Sequence, residues 1–171
     1  NVEFLIQSGM YLEGSVTLTF AGPIYEHEEY FSKLKILAET VTTKTNGRIN
    51  IQFTQKTLSP KELSRLYSTN DLFWFASLKE GMGNVVAEAL VYGSPVIALP
   101  VDGIMRQLLT HPDDGEVVDT DDPQTFAQVV NHWLAKDNID RRAISHRARN
   151  TFNPHPIENG YLNRIRECVG K

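Results

Sequence analysis

Residues 71–77 (DLFWFAS) and 95–100 (PVIALP) are unbroken apolar runs, and between them a helical pattern runs from about Asn84 to Tyr92 and closes on Gly93. A strand with one face in water alternates apolar and polar residues. A strand that is apolar throughout is covered on both faces, and helices placed between such strands provide that cover in parallel sheets. The rest of the chain keeps the alternation. SVTLTFAG (15–22) and RINIQFT (48–54) read as strands, and GEVVD (115–119) as a last short one. Helices are expected over Tyr25–Thr43, from Pro60 to about Tyr67, over Gly103–Leu109, and from Asp122-Pro123 to about Ala135. Ser59-Pro60-Lys61-Glu62 is a helix start with Ser at the N-cap, Pro at the first position and Glu at the third. The expected class is therefore α/β, a parallel sheet in three layers with helices on both faces and right-handed crossovers.

The first residues are already helical in pattern, with Val2, Leu5, Ile6 and Met10 on one side, and no initiator Met precedes them. The chain reads as a fragment whose upstream element, the first strand of the sheet, lies before Asn1. Residues 1–171 make one domain, with 138–171 a helical tail interrupted at Asn153-Pro154-His155-Pro156.

A net charge of -4 argues against a sequence-blind nucleic-acid binder, which needs a basic excess. The single cysteine, Cys168, excludes an intrachain disulfide and cysteine-based metal sites, and it suits a reducing, cytoplasmic setting. Acidic Glu3 stands where a signal peptide would be basic. The most apolar stretch is broken by Glu88, Gly93 and Pro95, so no membrane span is expected. Arg141, Arg142, Arg147 and Arg149 form a basic helical face. It can meet acidic lipid headgroups at a membrane surface, remain solvated, or contact another domain. The acidic run Asp113, Asp114, Asp119, Asp121 and Asp122 lacks calcium-loop spacing and reads as a solvated loop and helix cap. His27-Glu28-Glu29 lacks the second histidine of a zinc motif, so no metal site is expected. Trp74 reads as core and Trp133 as helix packing.

In open parallel sheets ligands bind outside the carboxyl ends of the strands. The loops at Gly22-Pro23, Thr54–Thr57, Glu80–Gly83 and Val101–Gly103 share that rim. SLKEGMGNVVAE (77–88) is the most informative of them. The helix after Gly83 offers unpaired N–H groups and a positive dipole end, and Gly81 and Gly83 let the backbone turn sharply and approach a ligand. Such a corner suits phosphate, although a plain turn has the same appearance. With Asn84 as N-cap, Glu88 is not a capping-box partner, and its apolar neighbours place it in partly covered surroundings. A carboxylate there wants hydroxyl partners, which a ribose diol supplies. Glu80 precedes the positive helix end and is available to hydroxyls of a group held there.

FASLKEGMGNVVAEALVYGSPVIALPVDG resembles the signature of retaining glycosyltransferases of GT-B fold, family 4 type: an acid, a glycine-flanked corner, and a second acid eight residues on. AGPIYEHEEYF, SPKELSRLYSTNDLFWFAS and GEVVDTDDPQTFAQVVNHWL resemble further segments of that family, collinear over residues 2–135. The resemblance implies a Rossmann-like donor-binding half of a GT-B enzyme. It implies that Glu80 contacts donor-sugar hydroxyls and is the residue closest to the chemistry. Gly81, Met82, Gly83 and Asn84 contact sugar and diphosphate, Gly22 faces the donor cleft, Glu88 binds the ribose, and Gln55 and Lys56 border the base. The substrate is a nucleoside-diphosphate sugar, with no cofactor and no obligatory metal. The leaving diphosphate helps accept the acceptor proton, so catalysis is charge stabilisation and positioning rather than a two-carboxylate glycosidase arrangement.

Met82 stands where the family has an aromatic, Asp102-Gly103 where it has a glycine pair, and Arg106 near its usual glutamate. The arginine and lysine that clamp the diphosphate in the family, and its acceptor-binding N-terminal domain, would lie upstream of Asn1. The chain is then expected to transfer nothing alone. A sugar-nucleotide epimerase or hydrolase of the same architecture and a non-catalytic domain on the same fold are the competing readings.

Overall fold

A computed structural model describes residues 1–23, 28–101 and 103–152. Tyr25–His27, Asp102 and the part of the expected helical tail from Asn153 onward, Cys168 included, lie outside the described residues. The elements are α1 (Val2–Ser8), followed by a 3-10 turn over Gly9–Tyr11, then β1 (Val16–Ala21), α2 (Glu28–Lys44), β2 (Ile49–Thr54), α3 (Pro60–Thr69) and β3 (Phe73–Phe75). They continue with α4 (Asn84–Val91), β4 (Val96–Ala98), α5 (Ile104–Leu108), β5 (Gly115–Val117), α6 (Pro123–Leu134) and α7 (Arg141–Thr151).

β4 shows why the apolar runs dictate the layers. Val96, Ile97 and Ala98 have no exposed surface, and successive side chains on a strand point to opposite faces. Ile97 joins one core with Phe4 and Ile6 of α1, Leu34 and Val41 of α2, and Phe126 and Val130 of α6. Val96 and Ala98 join the other, with Val86 and Leu90 of α4, Met105 of α5 and Ile144 of α7. Helices thus cover both faces, as expected, and every strand pair is parallel.

The sheet is divided. β1 pairs with β2 in register Val16 to Ile49 through Ala21 to Thr54, and β3-β4-β5 form a second sheet. The two share the first core, yet β1 and β3 are not hydrogen-bonded to each other. Between them lies a cleft of about 590 Å³, lined by every residue of β1, by 71–77, and by Asn1, Val2 and Leu5 of α1. Each side of the cleft is a strand edge without a ladder partner among the described residues. Trp74, expected in the core, is only half-buried because it stands on this cleft, packed edge-on against Phe126 with centroids 5.7 Å apart.

The local signals hold where they are strong. Ser59 Oγ accepts from the Glu62 N–H at 3.3 Å and Glu62 Oε2 accepts from the Ser59 N–H at 2.8 Å, a complete capping box at α3. Asp122 caps α6 through the N–H groups of Gln124 and Thr125. Gly93, at φ +77, ends α4: its N–H donates to Leu90 O and that of Ser94 to Ala89 O, both at 2.9 Å, a Schellman closure.

Two charge readings are corrected. Asp114, expected in a solvated acidic run, is 6% exposed and accepts from Arg147 Nε at 3.0 Å and Nη2 at 2.5 Å. Burial of a carboxylate requires such a partner. The basic face of α7 is likewise half internal. Arg147 is spent on Asp114, and Arg141 donates to the carbonyls of Tyr67 and Asn70 at 2.7 and 2.6 Å. Arg142 and Arg149 remain exposed. Burial lowers the Arg141 pKa from its ordinary value, with nearby Asp71 opposing it.

Candidate functional site

The corner after β3 is built by the packing of α4. This helix buries Val86, Ala89 and Leu90, the i, i+3, i+4 stripe that faces the core. Glu88 falls off that stripe and is exposed, not partly covered as its apolar neighbours suggested. The N-cap is Gly83 rather than Asn84: the Gly83 carbonyl accepts from Val86 at 2.9 Å and Ala87 at 3.2 Å, and no side chain caps the helix. Asn84 is the first helical residue and is exposed. The positive end of α4 is therefore open to an anion from outside.

The two glycines of the corner do different work. Gly83 is buried at φ +67, and a Cβ there would stand 2.8 Å from Leu108 Cδ1 and 2.9 Å from Met105 Cε. It is where α5 closes on the corner. Gly81 is exposed, its φ is not positive, and a Cβ there would meet nothing within 4 Å. Only Gly83 serves the sharp turn; Gly81 leaves space. An alanine at position 83 is expected to cost about 2–3 kcal/mol, because it adds displacement of two side-chain ends to left-handed strain. An alanine at 81 should stay within about 0.5 kcal/mol of the parent. Thermal melts of the two variants check this, and equal losses would contradict it.

Glu80 is half-buried, and its Oε1 accepts the Gly81 N–H at 3.1 Å. The carboxylate thus lies over the Gly81 amide, which the family resemblance assigns to the ligand. Met82 is 73% exposed and Leu78 77%, an apolar pair flanking the corner. Glu88 Oε2 accepts the Tyr67 hydroxyl at 3.3 Å. Leu66-Tyr67 belongs to a segment that carries the family resemblance, but the sequence gives Tyr67 no site role. Its signal is weak: it shares the apolar side of α3 with Leu63 and reads as core, and only its polar tip asks for a partner. Of the predicted site residues Glu88 alone lines the cleft, together with Tyr67, Ala21, Ser77 and Val85. The end of β1, the end of β3 and α4 therefore border one space.

Gly22 continues the ladder at the end of β1, its N–H donating to Thr54 O at 3.2 Å, and a Cβ there would meet nothing within 4 Å. It brings Thr54 and the following Gln55 and Lys56 to the same rim. Both are exposed, and Lys56 Nζ is paired with Glu62 Oε1 at 2.7 Å. That lysine, the Ser59 N–H and the Ser59 hydroxyl hold the Glu62 pKa down, from 4.5 to about 2. A carboxylate depressed on folding stabilises above its unfolded pKa and loses that contribution as pH falls toward the folded value. The parent should therefore lose melting temperature between about pH 4.5 and pH 2 more steeply than Glu62→Gln. Parallel melting-temperature profiles would contradict this. Arg106, by contrast, lies 3.5 Å from Asp119, with both side chains largely exposed.

Chemically, the rim can receive an anion at α4 and a hydroxyl-bearing group on each of two carboxylates. No helix among the described residues is long and apolar enough to cross a membrane.

Comparison with known proteins agrees with this architecture. The D-inositol 3-phosphate glycosyltransferase of Corynebacterium urealyticum is 32% identical over 79 residues, 46% of this chain and 18% of that protein. Anabaena Alr3699/HepE, solved in complex with UDP and glucose, superposes with a TM-score of 0.73 at 19% identity, covering 96% of this chain and 44% of that one. WaaG, a glycosyltransferase involved in lipopolysaccharide biosynthesis, superposes with a TM-score of 0.61 at 19% identity, covering 88% and 38%. The chain thus spans less than half the length of these relatives. Residues 1–151 match the family described as Glycosyl transferases group 1. The chain belongs to that family, and its fold is the C-terminal half of a GT-B glycosyltransferase.

Proposed function

We propose that this chain is the donor-binding part of a retaining glycosyltransferase that moves a sugar from a nucleoside-diphosphate sugar to a glycan, lipid or other acceptor. Glu80 contacts the donor sugar and is the residue nearest the reaction. Gly81, Met82, Gly83 and Asn84 line the sugar and diphosphate at the open end of α4, and Gly22 faces them. Glu88 takes the ribose hydroxyls, and Gln55 and Lys56 border the base. Glu80 leaves the Gly81 amide when the donor enters, exchanging one hydrogen bond for those of the sugar. The observation that carries the reading is the pairing of an uncapped α4 N-terminus with a carboxylate on either side, at the carboxyl ends of parallel strands.

The divided sheet supports a second element of the proposal. An upstream strand of the same polypeptide enters the cleft between β1 and β3, pairs with both edges, and leads into α1, whose first residues line the cleft. An acceptor-binding domain precedes it, and the 171 residues alone transfer nothing. Arg142 and Arg149 are left for contact with that domain or with acidic headgroups.

The test is a calorimetric panel of uridine, guanosine and adenosine diphosphates and their sugars against the full-length protein, with product analysis of a labelled donor. Binding of one diphosphate and transfer with the anomeric configuration kept are expected. A released or epimerised sugar would favour a hydrolase or epimerase, and no binding at all a non-catalytic domain.

A further inference from the structure

Tyr67 is buried, yet its hydroxyl reaches the rim and donates to Glu88 Oε2 at 3.3 Å. The ring is fixed on several sides. It packs edge-on against Phe73 with centroids 5.5 Å apart and stacks on Tyr92 at 6.0 Å. Its own carbonyl accepts Arg141 Nη2 at 2.7 Å, while Nη1 of the same guanidinium holds the carbonyl of Asn70 at 2.6 Å. Arg141 is the first residue of α7, so three helices determine where the phenol oxygen sits. Glu88 is the opposite case. It is exposed, and a glutamate that must be ordered by its ligand loses much rotamer freedom on binding.

We infer that Tyr67 is a positioning residue for Glu88: it holds one carboxylate oxygen, leaving Oε1 presented to a vicinal pair of hydroxyls at the mouth of the cleft. The inference rests on the ribose role proposed for Glu88 and deepens it. A carboxylate fixed before binding gives its hydrogen bonds at a smaller entropic cost. Burial first, and then the Glu88 charge and the hydrogen bond to it, raise the Tyr67 pKa well above its ordinary value, so the phenol stays a donor at physiological pH. The apolar packing of the ring does not need the hydroxyl, which separates the positioning role from a structural one.

Tyr67→Phe keeps the ring and removes the donor. In the full-length protein, affinities are measured for uridine, guanosine and adenosine diphosphate, and for the 2′,3′-dideoxy form of the tightest binder. The variant should bind the ribose form about 3–10-fold more weakly, less than a full hydrogen bond to a charged group because 3.3 Å is long for an O–H donor to oxygen. Binding of the dideoxy form and the melting temperature should not change. In a Glu88→Ala background the Tyr67→Phe change should have no further effect on affinity. Three results would overturn the inference: unchanged affinity for the ribose form, an equal loss for the dideoxy form, or a loss that persists in the Glu88→Ala background. The last also reports a purely structural effect should phenylalanine lower the melting temperature. If Glu88→Ala weakens binding and Tyr67→Phe does not, only the positioning role falls. If Glu88→Ala itself changes nothing, the ribose role falls and takes the positioning role with it.

Discussion

Glu88→Ala is expected to weaken every nucleoside diphosphate and every sugar nucleotide that the full-length protein binds, by about 30-fold or more. The magnitude follows from the chemistry. A hydrogen bond between a carboxylate and a hydroxyl contributes about 2 kcal/mol, and a ribose diol offers two. The loss should be the same with or without the sugar, because the proposed role of Glu88, one helical turn into α4, is on the nucleotide. The fold should not suffer. Glu88 is exposed, and its one partner among the described residues, the Tyr67 hydroxyl, can turn to water when the carboxylate is gone. Isothermal titration together with a thermal melt separates the two. A loss of affinity that tracks a loss of melting temperature would contradict the assignment.

A large stability effect is expected at the end of α4 opposite the corner. Gly93→Ala should destabilise by about 3 kcal/mol or more, through two terms that add. Alanine at φ +77 carries the left-handed penalty of about 1–2 kcal/mol. The new Cβ would also fall on the backbone carbonyl of Arg141, which no side-chain rotation can relieve. α7 would have to move, loosening buried Ile144 and Ala148, the Arg147 to Asp114 pair and the Arg141 hold on α3. Gly14→Ala is the control: Gly14 has φ +67 and nothing within 4 Å of its would-be Cβ, so it should show only the strain. Urea unfolding of both variants measures the difference. Equal losses for the two would mean that the contact with Arg141 is not what fixes a glycine at 93.

These two residues illustrate what the sequence makes legible. Gly93 announced itself, because a glycine after a helical pattern and before an apolar run is a local signal, and the Schellman closure is local too. The capping box at Ser59 and the Asp122 cap are of the same kind. The three-layer arrangement was readable from Val96-Ile97-Ala98, since an unbroken apolar strand has nowhere to go but between two layers of helices. Pairings over long separations were not readable. Asp114 finds Arg147, Arg141 finds Asn70, and Glu88 finds Tyr67 only once the helices are packed. The same limit explains the corner. SLKEGMG shows two glycines that look alike, and only the approach of Leu108 and Met105 from α5 tells Gly83 from Gly81. The division of the sheet at β1 and β3 depends on which strand edges meet, and hydrophobic periodicity does not encode that.

The proposed function divides the donor between two carboxylates, Glu80 on the sugar and Glu88 on the nucleotide. It is tested most directly by Glu80→Ala in the full-length protein, titrated with a bare nucleoside diphosphate and with the matching sugar nucleotide. Near-parental affinity is expected for the diphosphate and a loss of about 30-fold for the sugar nucleotide, the worth of one charged hydrogen bond of about 2 kcal/mol to the sugar. Equal losses for the two ligands, or no loss for either, would contradict it.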